Sequence, residues 1–403
     1  MPTLPLPCLA TATHPTFVGK LALSLVATAA ALAYAPPAKA INLVLDYTYD
    51  TNGFFNPGTT AGQQARATVS AAASFLSNLL EDSFPEVTAP DPFVSTAPGQ
   101  PTLTLTFDWT RNFFHPGTGA LLTLPGGTVA ADDYVIYVGG RPLPGSTLGN
   151  GGPGGWGTNS TGTYYSSPAN INAVNDISNA FVGLLTNRSQ ADGDFGGWGG
   201  ALTFDSDVNW NRNHLVSPSG SQSDLYSVAL HELVHALGIG GYKPSDPTEW
   251  QMNFNAAQTA FVGSAAVAAY GSAVPLSPDR GHWLEGTDST VFGSLTLQES
   301  LMDPSITTGT RKQLTLLDAA GMIDIGWEIT LPGTVLAGDY NNDLVVDVAD
   351  YTVWRDNLGG ASPIGSYAEW VANYGATAGV SLAVPEPLTL LLALLAVVGR
   401  PRR

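Results

Sequence analysis

The segment HELVHALGIGG, residues 231–241, places His231 and His235 four positions apart. On a helix that spacing sets both imidazoles on one face, where they can reach a single ion. Glu232 lies beside that face and suits a carboxylate that takes a proton from a metal-activated water rather than competing as a ligand. The flanking Val228, Leu230, Val234 and Leu237 are apolar, so the helix is expected to be buried and its imidazoles to need partners. A catalytic zinc takes three protein ligands and keeps one position open for water, so the third ligand has to come from elsewhere in the chain. Gly238, three residues after His235, lets the chain turn sharply off the helix, and Gly240 and Gly241 extend that freedom.

Composition narrows the donor set. The one cysteine, Cys8, falls within residues 1–40, where Leu21 to Tyr34 form an uncharged apolar run and Ala38-Lys39-Ala40 offers a signal peptidase its small-x-small triplet. The mature chain from Ile41 then has no thiol, so any metal must use His, Asp, Glu or backbone oxygen. The formal charge is −18, and loss of Lys20 and Lys39 with the signal makes the mature chain more acidic still. Such a surface repels phosphate backbones and excludes nucleic acid as a partner. With 12% charged residues, 45 glycines and 29 prolines, the chain reads as loop-rich, folded and extracellular.

The scaffold is legible in outline. INLVLDYTYD from Ile41 alternates as a half-buried strand, and Thr60 to Glu81 carries apolar residues at helical spacing. Strands are predicted at Leu103–Trp109, Asp133–Val138 and Ala201–Phe204, with a glycine-rich loop at Gly149–Gly157 between the last two. Ser223–Leu237 is the motif helix, with Asp224 near its start. Glu249–Tyr270 is predicted as a further helix, and Leu314 onward as a closing helix and strand.

The motif resembles the metzincin signature HExxHxxGxxH, with Gly238 at the glycine and Gly241 where the third histidine would stand. That departure resembles the leishmanolysin-type branch, in which an insertion precedes the last ligand histidine and a methionine turn. His282 in DRGHW, 47 residues after His235, and Met302 in ESLMDP follow that order. The resemblance implies an α+β catalytic domain over residues 41–330, with a twisted mixed sheet and a long active-site helix. It implies zinc held by His231, His235 and His282, Glu232 as general base, Met302 as a packing platform beneath the metal, and a protein or peptide substrate. GGALTFDSDVNW, residues 199–210, is similar to the strand that borders the substrate cleft in this family, and Asp192, Asp194, Asp205 and Asp207 are candidate calcium carboxylates.

Beyond a linker at 331–337, Asp339, Asn341, Asp343, Asp347 and Asp350 take positions 1, 3, 5, 9 and 12 of a calcium loop, with the Val345 carbonyl at position 7. This module, 338–380, resembles a dockerin or EF-hand, with aspartate last and Leu344 where the turn glycine belongs; a calcium-stapled spacer fits better than a cohesin-binding pair. YTVWRDNLG and YAEWVANYG, sixteen residues apart, are predicted as two small helices packing through Trp354 and Trp370. Residues 384–403, with Pro385-Glu386-Pro387, an apolar run and terminal arginines, resemble a PEP-CTERM sorting tail. Such a tail implies transient residence in the inner membrane of a Gram-negative-type cell and processing by an exosortase. Two other readings compete: a non-catalytic envelope or matrix protein with structural zinc and calcium, and a calcium-dependent binding module.

Overall fold

The computed structural model describes residues 41–241, 247–294, 296–329, 331, 338, 340, 346–356 and 366–375. It begins with strand β1 (Asn42–Asp46) and helix α1 (Thr60–Leu79), whose Thr59 hydroxyl caps the N-terminus by accepting from Gly62 N–H. Strands β2 (Phe93–Ser95), β3 (Leu103–Phe114), β4 (Leu121–Pro125) and β5 (Asp133–Arg141) follow, then β6 (Gly149–Pro153) and β7 (Gly155–Gly162). Helix α2 (Pro168–Asn187) starts at a Ser167 cap with Pro168 in its first turn. Strand β8 (Gly199–Asp205) leads through the short parallel pair β9 (Trp210–Asn211) and β10 (Ser223–Asp224) into helix α3 (Leu225–Ala236).

The central sheet has the order β1-β5-β8-β6, with the first three strands parallel and β6 antiparallel at one edge. β5 and β8 are buried almost throughout, as parallel strands covered on both faces must be. The two-residue period of β5 sorts its side chains between two cores. Tyr134, Ile136 and Val138 join Val69, Leu76, Leu230 and Leu233 of α1 and α3, whereas Tyr137 joins Trp109, Phe113, Phe181 and Trp198 on the other face. That second face carries α2 and an antiparallel sheet in which β3 pairs with β2, β4 and β7. The architecture is therefore α+β with a mixed sheet.

The remainder is built of short elements: α4 (Glu249–Met252), β11 (Ala260–Phe261), α5 (Ser264–Tyr270), β12 (Val274–Pro275), β13 (Asp288–Thr290), β14 (Leu297–Glu299) and α6 (Leu316–Asp324). The single helix predicted over Glu249–Tyr270 is thus two, broken by a turn in which the Asn255 side chain accepts from Thr259 and Ala260 N–H and Gln258 adopts φ 53°. Asparagine supplies local bonds that compete with the helix ladder, which apolar spacing alone does not register. The strand predicted after α6 is likewise absent among the described residues: Trp327 turns inward instead and donates its indole N–H to Leu237 O at 2.8 Å. In the C-terminal segment, α7 (Val348–Asp356) and α8 (Tyr367–Asn373) meet through crossed pairs, Trp354 on Tyr367 and Trp370 on Tyr351, with centroids 5.3 and 5.2 Å apart. No helix among the described residues is long and apolar enough to cross a membrane.

Candidate metal centre

Asp224 caps α3, accepting from Ser227 N–H, and is itself gripped by the fork of Arg311 at 2.8 and 2.9 Å. This fixes the start of a helix whose Leu225, Ala229, Leu233 and Ala236 are fully buried, so the face carrying His231, Glu232 and His235 is held against the cleft. His282, delivered by the loop between β12 and β13, completes a triangle. The three Nε2 atoms stand 3.0 Å (His231–His235), 3.1 Å (His235–His282) and 3.3 Å (His231–His282) apart.

The other ring nitrogens decide what that triangle means. His231 Nδ1 lies 2.8 Å from Leu301 O, His235 Nδ1 lies 2.9 Å from Ile239 O, and His282 Nδ1 lies 2.9 Å from an Asp279 carboxylate oxygen. Each partner is an acceptor only, so each ring carries its proton on Nδ1 and presents a bare Nε2 lone pair to the centre. Three lone pairs facing one another at these distances cannot hydrogen bond and repel, unless a cation sits among them. Tetrahedral zinc with Zn–N of ~2.05 Å requires nitrogens ~3.3 Å apart, so the donor set fits such an ion. Burial, then the neighbouring His235 and His282, hold His231 well below the usual imidazole pKa; burial and then His282 hold His235 down at about 4. Both rings are neutral at physiological pH, as ligands must be.

The glycines around the helix are required by contact. Gly238 and Gly240 adopt φ +103° and +89°, folding the chain back so that Ile239 O reaches the ring of His235 one turn earlier; a Cβ on Gly240 would lie 2.7 Å from His235 Nδ1. On the other side, the segment predicted as a glycine-rich loop, Gly149–Gly157, is strand β6 and the start of β7, with β6 laid directly over Glu232. A Cβ on Gly149 would stand 2.5 Å from Glu232 Oε1, and one on Gly151 2.2 Å from its backbone oxygen. Gly151 also donates its N–H to the Glu232 carboxylate. Burial pushes the Glu232 carboxyl up to about 8, against the lowering effect of that N–H. The strand bordering the cleft is therefore β6; β8, assigned there from the sequence, is interior between β5 and β6. The cleft, about 650 Å³, runs from Thr147 and Asn150 of the β6 side past the histidines to Pro304, Ile306 and Lys312.

Two carboxylates that the sequence did not single out organise the three histidines. Asp279 accepts from His282 Nδ1 and from Gly281 N–H at 2.8 Å; these bonds outweigh partial burial and hold its carboxyl below the usual range. Asp318 is completely buried at the start of α6. Its Oδ1 accepts from Trp283 Nε1 at 3.0 Å and Met302 N–H at 3.1 Å, and its Oδ2 from Leu301 N–H at 2.9 Å and both Thr315 N–H and hydroxyl at 2.9 and 2.6 Å. Burial pushes its pKa up, but four N–H groups fill the lone pairs of both oxygens and leave no place for a proton. Only the T-x-x-D capping pattern before α6 hinted at it in sequence.

Met302 is fully buried, and its carbonyl accepts from Trp283 N–H, which ties it to the residue after His282. Asp192, Asp194, Asp205 and Asp207 do not form a ligand group; Asp205 is 6% exposed and spends its Oδ1 on the N–H of Leu143 and Asp207. A second group that could hold a metal is Glu285, Glu299 and Asp303. The Lys312 ammonium already sits 2.9 Å from Glu299 and 3.1 Å from Asp303, so the cation there is the protein's own. Of the calcium-loop residues, Asp339, Asn341, Asp343 and Val345 lie outside the described residues, as do the signal segment 1–40 and the tail 384–403. Asp350 accepts from the N–H of Tyr340 and Asp347, and Asp347 from that of Ala349. No family model matches the chain, and neither a curated protein nor a solved structure does.

Proposed function

We propose that the chain is an exported zinc-dependent endopeptidase of the metzincin type, with the leishmanolysin-like order of ligands His231, His235 and His282. The observation that carries this is the set of three bare imidazole lone pairs meeting in an open cleft, with the carboxylate of Glu232 beside them. Zinc, when bound, supplies a Lewis acid that makes water a nucleophile at neutral pH and polarises the scissile carbonyl. Glu232 takes the proton from the attacking water and passes it to the leaving amine, the two roles that a carboxylate beside the cleft can fill in turn. Among the described residues the outer edge of β6 has no strand partner beyond it, so an extended peptide can add to it and lie across the histidines. Asp279 and the carbonyls of Leu301 and Ile239 keep the three rings in the tautomer that faces the reaction.

Residues 1–40 and 384–403 are proposed as the export signal and the exosortase-processed sorting segment, and 338–380 as a calcium-stapled spacer. Metal analysis with a casein hydrolysis assay, with and without a chelator, tests the central reading. One zinc per chain and hydrolysis abolished by chelation and restored by zinc are expected. One tightly held zinc with no hydrolysis of any peptide would instead favour a structural metal in an envelope protein.

A further inference from the structure

The peptide unit joining Leu301 to Met302 is bonded at both ends to groups with a bearing on the metal centre. Its carbonyl, Leu301 O, accepts from His231 Nδ1 at 2.8 Å, and its N–H, on Met302, donates to Asp318 Oδ1 at 3.1 Å. The geometry points to Asp318 as a positioning residue for the metal centre, acting on His231 through this single peptide group. This rests on the assignment of His231 as a metal ligand. A full negative charge on the N–H side of an amide draws the amide dipole toward it and makes the carbonyl oxygen a stronger acceptor. A stronger acceptor on Nδ1–H raises the donor strength of Nε2, as a carboxylate placed directly on a ligand histidine does.

The three ligands then form a graded series inside one protein. His282 has a carboxylate in direct contact, His231 has one at one peptide's remove, and His235 has the carbonyl of Ile239, whose peptide carries no carboxylate among the described hydrogen bonds. The same carboxylate accepts from Trp283 Nε1, next to His282, so it also fixes the spacing between the two segments that bring His282 and the Leu301 carbonyl to the ion.

The test uses the full chain, stripped of metal and reloaded with zinc, with affinity read by competition against a chromogenic chelator. Asp318→Asn is expected to weaken zinc about tenfold, the lower end of the effect of outer ligands. Thr315→Val removes a donor to the same carboxylate and the cap of α6; it is expected to lower thermal stability while leaving zinc affinity within about twofold, since the relay to His231 survives. Equal weakening by the two variants would reduce Asp318 to a structural role. Should Asp318→Asn fail to fold, histidine-labelled wild-type protein loaded with zinc decides by NMR. The Nδ1–H protons are expected in the downfield order His282, His231, His235, and coincidence of His231 with His235 overturns the relay. Absence of stoichiometric zinc in the wild type would defeat the metal assignment itself, a separate outcome.

Discussion

Replacing Glu232 by Gln in the metal-free protein isolates the cost of keeping a charge under β6. The carboxyl has an ordinary pKa of 4.5 and is pushed to about 8 in the folded chain, burial being the main cause. Below pH 4.5 both folded and unfolded chains hold the proton, and stability is unaffected. As pH rises from 4.5 to about 8 the unfolded chain releases its proton first, so stability falls through that window and levels off above it. At about 1.4 kcal/mol per pKa unit the total is on the order of 5 kcal/mol, and on the order of 3 kcal/mol has gone by neutral pH. Glutamine keeps the shape without the charge. The stability of Glu232→Gln minus that of wild type, from urea unfolding after chelation, should therefore climb from pH 5 to 8 and level off. His231 and His235 titrate in both proteins and cancel in the difference. A difference independent of pH would show that Glu232 is not held in a low-dielectric setting. Zinc should shrink the difference, because a nearby dication favours the carboxylate.

The same Glu232→Gln protein should lose at least a hundredfold in peptide hydrolysis while binding one zinc, since the general base is gone and the ligands remain; residual activity near wild type would remove Glu232 from that role. His282→Ala should lose zinc in metal analysis, with unchanged stoichiometry pointing to another ligand. Gly149→Ala puts a methyl group 2.5 Å from Glu232 Oε1, so it should depress turnover at least tenfold with zinc content intact; unaltered kinetics would mean the strand yields without disturbing the base. Asp279→Asn, measured by chelator competition, should cost about tenfold in zinc affinity, and no loss would show that the His282 tautomer is held by something else.

What the sequence disclosed here and what it withheld follow from the range of the forces involved. The helix pair His231 and His235 was legible because a four-residue interval maps onto one face whatever surrounds it. β1, α1, β5 and β8 were legible from their apolar periods. The meeting of His282 with that pair depends on contacts between distant segments, through Asp318, Trp283 and Met302, and the family likeness placed it where spacing alone did not. The glycines of β6 read as a loop because Gly lacks strand propensity; their reason is a neighbour, the backbone and carboxylate of Glu232, which only the fold reveals. The Glu249–Tyr270 segment misread for the opposite cause: its seven alanines from Ala256 on favour helix, and Asn253 and Asn255 end it by local side-chain bonding.

The knot of bonds on Asp318 has a consequence for assembly. Two imidazoles share α3, whereas the third sits on a segment whose neighbours Trp283, Leu301 and Thr315 are all bonded to the one carboxylate of Asp318. A chain ending before that residue carries the HELVH motif yet lacks the carboxylate that ties Trp283, Leu301 and Thr315 together. On the proposed function, capture of an ion would therefore report that these three segments have closed.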